Sequence, residues 1–65
     1  MMTVDDFKYL VGRTIEAAVP ELPPRYFIFV ADEDGQSFYR TQEFNPYRIN
    51  VWVKRGVINK IDGVN

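Results

Sequence analysis

The chain predicts a small α+β domain, with two short helices first and a small sheet after them. Helix-start signals and a proline-limited apolar run occupy the first twenty or so residues. Aromatic and β-branched runs at 26–30, 48–54 and 57–61 have strand character. The 65 residues are 46% hydrophobic and include one Trp, four Tyr and five Phe, which is enough for a folded core. A chain this short forms a single domain over 1–65 and buries only about 60% of the surface its unfolded form exposes, so its stability is marginal.

Thr3 followed by Asp5 and Asp6 is a helix start, a hydroxyl N-cap with acids that complement the dipole of the first turn. Phe7, Leu10 and Val11 then fall at i, i+3 and i+4, and Gly12 is a natural stop, so residues 4–11 are expected to be helical. Thr14 can cap a second helix that carries Glu16 in its first turn and Ile15, Ala18 and Val19 as its apolar residues. Pro20 limits that helix to one or two turns, because it lacks an amide and crowds the carbonyl of Glu16. Pro23-Pro24 ends any continuation.

Tyr26-Phe27-Ile28-Phe29-Val30 is too short for a helix and reads as a buried strand. Asp32-Glu33-Asp34-Gly35 is a turn. Arg48 to Lys54 alternates, with Ile49, Val51 and Val53 on one face and Asn50, Trp52 and Lys54 on the other. Arg55-Gly56 turns the chain into a last strand, 57–61, which forms a hairpin with 48–54. The stretch 36–44 admits two courses. It can pair back onto 26–31 through Asp34-Gly35, or it can run as an exposed loop to a parallel strand.

Composition excludes several function classes. With no cysteine and no histidine, neither a disulfide framework nor an ordinary zinc site is available. A net charge of −1 with scattered bases gives no footprint for a nucleic-acid backbone. The longest apolar run, Tyr26 to Ala31, falls far short of a membrane span. The first residues, Met-Met-Thr-Val-Asp-Asp, are acidic where a signal peptide would be basic, so none is expected in the chain as given. The 32–35 turn resembles the opening of a calcium loop, but Gln36 and Gly35 stand at the wrong offsets for its ligands. Ser37 and the threonines have no His or Cys beside them to act as base, so no enzyme activity and no cofactor or metal is expected.

The most informative stretch is 41–51, Thr-Gln-Glu-Phe-Asn-Pro-Tyr-Arg-Ile-Asn-Val. An acid, Glu43, precedes by five residues an arginine, Arg48, at the head of an alternating strand. A guanidinium fixed in a sheet can grip a loop carboxylate and hydroxyl (Glu43, Thr41) through charge-assisted bonds. A loop stiffened in this way loses little entropy on docking.

Three segments resemble the potato inhibitor I family of serine-protease inhibitors, and most closely its short bacterial-type relatives. Leu10-Val11-Gly12-Arg13-Thr14 is similar to the residues that lead into the family's helix. Thr41-Gln42-Glu43-Phe44 is similar to its reactive-site run. Asn45-Pro46-Tyr47-Arg48-Ile49-Asn50-Val51 is similar to the following Arg-Pro-Asp-Arg-Leu-Asn-Val, and Gly56-Val57-Ile58 continues the likeness.

The resemblance implies a mixed sheet in which the strands near 26–30 and 48–53 run parallel, joined by an extended inhibitory loop. It implies a loop of Arg40, Thr41, Gln42, Glu43 and Phe44 with Gln42–Glu43 as the reactive bond, supported by Arg48 and Asn50. The implied partner is a subtilisin- or chymotrypsin-like serine protease. The chain differs from longer members in carrying Asn50 where a second arginine is frequent, and Gln42 where large apolar residues are common. Its 31–40 stretch is about four residues longer and its second helix is shorter. The alternative is an interaction module of the same fold that binds through a sheet face around Trp52 and Tyr47.

Overall fold

A computed structural model describes residues 1–39 and 43–65. Its order is a three-ten helix Val4–Leu10, an α-helix α1 over Ile15–Ala18, a three-ten turn Val19–Glu21, and four strands. The strands are β1 Phe27–Glu33, β2 Gln36–Ser37, β3 Arg48–Lys54 and β4 Val57–Val64, in the sheet order β2-β1-β3-β4. β1 runs parallel to β3, and the β1–β2 and β3–β4 pairs are antiparallel. The fold is therefore α+β with a mixed sheet and a connection that joins two parallel strands.

The first helix is wound more tightly than its residue pattern predicts. With three residues per turn, i and i+3 eclipse, so Phe7 and Leu10 are fully buried while Val11 is left 45% exposed. At its start, Asp6 reaches back to accept from the Thr3 N–H at 2.7 Å and from the Thr3 hydroxyl at 3.3 Å. Gly12, at φ +95°, turns the chain out of the helix through a region that favours glycine.

Thr14 caps α1 by accepting from the Ala17 N–H at 3.1 Å. α1 is a single turn, within the limit expected from Pro20, and the chain then continues as a three-ten turn with Pro20 near its start, where its missing amide has no partner to lose. Val19, expected on the apolar face, is 53% exposed.

The core lies between the helices and one face of the sheet: Phe7, Leu10, Ala18, Ile49, Val51, Val53, Ile58 and Ile61. Ile28 and Val30 pack against it from β1 but are only part-buried. β1 extends to Glu33, beyond the expected run, and its alternation shifts at Ala31, a bulge between the Val30↔Val51 and Asp32↔Trp52 pairs. β4 likewise continues past Ile61 to Val64.

Two tight hairpins close at one end of the sheet. Asp34-Gly35 (φ +51°, +88°) and Arg55-Gly56 (φ +54°, +79°) have the positive pair of dihedrals that matches strand twist. The Asp34 carboxylate ties them together by accepting from the Arg55 N–H at 2.8 Å.

Candidate functional site

Parallel neighbours need a long crossover, which is ordinarily helical. Here residues 34–47 make that crossover, and the only regular structure among its described residues is the two-residue strand β2. Both courses open to 36–44 are thus used in part: β2 pairs back on β1 through Asp32↔Ser37 and Glu33↔Gln36, and the rest crosses to a parallel strand. Arg40, Thr41 and Gln42 lie outside the described residues. Glu43 and Phe44 are exposed, Phe44 to 66%.

On the upstream side, the Phe38 N–H donates to the Ala31 carbonyl at 2.8 Å. Asp32 stiffens the hairpin before it by accepting from the Gly35 N–H at 3.1 Å and the Ser37 hydroxyl at 3.2 Å. Downstream, Asn45 folds the chain into an Asx turn, its side-chain oxygen accepting from the Tyr47 N–H at 3.0 Å. The Arg48 N–H closes the same turn onto the Asn45 carbonyl at 3.1 Å. The Asn-Pro dipeptide is a recognised turn signal, so this role of Asn45 was available in the sequence.

Arg48 heads β3 and is only 8% exposed. Its Nη2 donates to the main-chain carbonyl of Glu43 at 2.9 Å, and its Nε donates to the main-chain oxygen of Asn65 at 2.9 Å. The grip is on the peptide of residue 43, whereas spacing points to the Glu43 carboxylate. A main-chain grip constrains the backbone directly and does not depend on which side chain residue 43 carries. The Thr41 half of that expectation falls outside the described residues.

Asn50, two residues along the same face, is 1% exposed. Its Nδ2 donates to the Asn65 side-chain oxygen at 2.9 Å, while its own Oδ1 is buried without a hydrogen-bond partner. Arg48 and Asn50 thus converge on Asn65, and the Asn65 N–H returns a bond to the Arg48 carbonyl at 3.1 Å. No local pattern announces Asn65, because the pairing of β3 with β4 brings it there.

Aromatic rings fix the floor of the site. Tyr47, just before Arg48, meets Tyr26 edge-on with ring centroids 5.2 Å apart, and Tyr26 lies 5.2 Å from the buried Phe7. Arg25 lies over the Tyr47 ring, 6.0 Å from its centre. The β3 head is therefore tied to the N-terminal helix through packed rings, a contact worth about 0.5–1.5 kcal/mol per ring pair beyond area burial.

Chemically, the arrangement holds a peptide segment in place. Among the described residues, no group of three or more acidic side chains is placed to hold a metal ion. A scan against protein-family models finds no match, and searches of curated proteins and of solved structures find none either.

Proposed function

We propose that this chain is a serine-protease inhibitor that offers Arg40–Phe44 to the protease active site as a substrate-like loop, with Gln42–Glu43 as the reactive bond. The observation that carries this reading is the buried Arg48, whose guanidinium bonds to the Glu43 main chain at 2.9 Å. On this reading the protease serine attacks the Gln42 carbonyl, and the leaving amine is that of Glu43. Residue 43 is held to β3 through Arg48, and residue 45 through its turn, so the amine stays beside the acyl-enzyme. Re-formation of the peptide then outpaces release, because the two reactants are kept at high effective concentration. The chain is a slowly processed substrate and catalyses nothing itself. The resemblance to the potato inhibitor I family and the parallel β1–β3 pair support the same reading.

The test is inhibition of a panel of serine proteases by the purified chain, with Arg48→Ala beside it. The wild type is expected to inhibit at micromolar concentration or below and to be nicked slowly between Gln42 and Glu43 alone. Arg48→Ala is expected to be cut to completion as an ordinary substrate. No inhibition anywhere in the panel, with rapid cutting at several loop sites, favours the second reading, a non-inhibitory interaction module. That reading draws on the partly open outer face of the sheet, where Trp52 is 37% exposed; Tyr47, expected beside it, packs its ring against Tyr26 instead.

A further inference from the structure

We propose that the hairpin end of the sheet, around Trp52, Lys54, Arg55 and Asn59, binds a phosphate monoester with a planar, hydrogen-bond-donating body. That is the chemistry of a nucleoside monophosphate. The site lies at the opposite end of β3 from Arg48, about 20 Å away at the usual rise per strand residue. It does not depend on the inhibitor reading.

Strand pairing picks out this end of the molecule. β1 and β4 flank β3, and both depart from regular pairing beside Trp52. In β1 the shift at Ala31 sets Asp32 against Trp52, and in β4 the skipped residue, Asn59, sets Lys60 against it. Bulges re-aim side chains and are over-represented next to active sites. Here they give Trp52 an acid as its β1 neighbour and an ammonium as its β4 neighbour, with Lys60 Nζ 4.4 Å from the ring centre. Trp52 still keeps 37% of its surface exposed.

Two adjoining clefts open there and share Lys54, Arg55 and Asn59 in their walls. The smaller, about 260 Å³, is completed by Val57 and Ile58 and is lined by no acid. The larger, about 460 Å³, takes in Trp52, Asp32 and Asp34. Both acids already have donors: Asp34 accepts from the Arg55 N–H, and Asp32 from the Gly35 N–H and the Ser37 hydroxyl. The cations are in the opposite position. Among the described residues neither Lys54 nor Arg55 forms an ion pair. Their backbone is nonetheless fixed, Lys54 by pairing with Val57 and Arg55 by its 2.8 Å bond to Asp34.

A phosphate in the acid-free cleft meets an ammonium, a planar guanidinium fork and the Asn59 amide, donors suited to a tetrahedral oxyanion. A single phosphate needs no more, unlike a nucleic-acid backbone, which requires a basic stripe. The rest of the ligand then falls in the larger cleft, whose walls include an indole and two carboxylates. An ionised carboxylate offers about four lone pairs, so Asp32 and Asp34 can accept further bonds. A stacked ring bearing N–H or O–H donors uses both features. A bare inorganic anion uses neither and is repelled by two negative charges nearby.

The experiment titrates the full chain with adenosine monophosphate, adenosine and inorganic phosphate at physiological salt. The readouts are the fluorescence of Trp52, the one tryptophan of the chain, and the amide NMR shifts of residues 52–60. Adenosine monophosphate should quench Trp52 saturably, shift those amides, and bind about tenfold or more tightly than adenosine or phosphate alone. Lys54→Gln and Arg55→Gln should each weaken it roughly five- to tenfold. Lys8→Gln should leave it unchanged, since Lys8 pairs with Asp5 and lines neither cleft. Thermal melts of the three variants should coincide with the wild type, because all three side chains are exposed. Shifts that are absent, or spread evenly over the lysines and arginines, overturn the proposal. So does inorganic phosphate that binds as tightly as the nucleotide, or a Lys8→Gln effect as large as that of Arg55→Gln. None of these outcomes bears on protease inhibition.

Discussion

At the head of β3 the two faces are buried to similar depth by opposite chemistry. On one face Ile49 and Val51 are fully buried and Val53 is 4% exposed, packed with Phe7, Leu10 and Ile58. On the other, Arg48 and Asn50 are 8% and 1% exposed. The apolar face is buried because water is a poor environment for it, and each side chain contributes roughly 1.5–3 kcal/mol. The polar face cannot be explained that way, since removing a guanidinium and an amide from water costs free energy unless their bonds are replaced. Polar burial is confined to the end of β3 that adjoins Glu43 and Asn65. At the far end of the same face Trp52 and Lys54 are exposed. A fold that needed only stability would bury apolar residues at positions 48 and 50. Polar burial at this end of β3 goes with the bonds that Arg48 makes to Glu43 and that Arg48 and Asn50 both make to Asn65.

Substitutions can break this comparison or sharpen it. Ile49→Ala should have the largest effect, about 2–5 kcal/mol from lost transfer energy and the cavity left behind. For a core of this size that leaves little folded protein, as urea unfolding or a melt would show. Arg48→Ala should cost less stability, roughly 2–3 kcal/mol, because it strips a charge-assisted donor from two main-chain oxygens. It should affect the loop end more than the core: the amides of Tyr47 and Arg48, which bond to Asn45, should lose hydrogen-exchange protection while those of Val51 and Val53 keep theirs. Uniform loss across both groups would show that the two faces are one structural unit. Asn50→Ala should be smallest, about 1 kcal/mol in chemical denaturation. It removes one good bond to Asn65 but also removes a buried oxygen that has no partner. A loss as large as that of Ile49→Ala would mean the polar face carries the fold after all.

Local chemistry made much of the fold legible. The period-two alternation marked β3 at its observed bounds, the Thr14 cap marked α1, and Asp34-Gly35 and Arg55-Gly56 marked their turns. The misses have physical causes. Three-ten winding moved Val11 off the buried stripe. The bulge at Ala31 and the extension of β4 to Val64 arise from pairing with β3, which no window of sequence contains. In the candidate site, Arg48 and Glu43 could be named from residue type and spacing, and Asn50 and Phe44 only through the resemblance to the inhibitor family. Asn45 was readable as a turn residue but was not singled out. Asn65 could not be read, because it reaches Arg48 and Asn50 only through the β3–β4 register.

By itself the sequence determined the class of the domain, the apolar stripe of β3 and the position of an arginine at its head. Those features follow from side-chain period and turn chemistry, which act over a few residues. Tertiary structure showed the β1–β3 pair to be parallel, left the crossover with only the short β2 as regular structure among its described residues, and brought the Arg48 guanidinium to the main-chain carbonyl of Glu43. Each of these depends on which distant strands exchange hydrogen bonds and how their faces meet. Such choices are made by the packing of the whole chain around Phe7, Leu10 and Ile49.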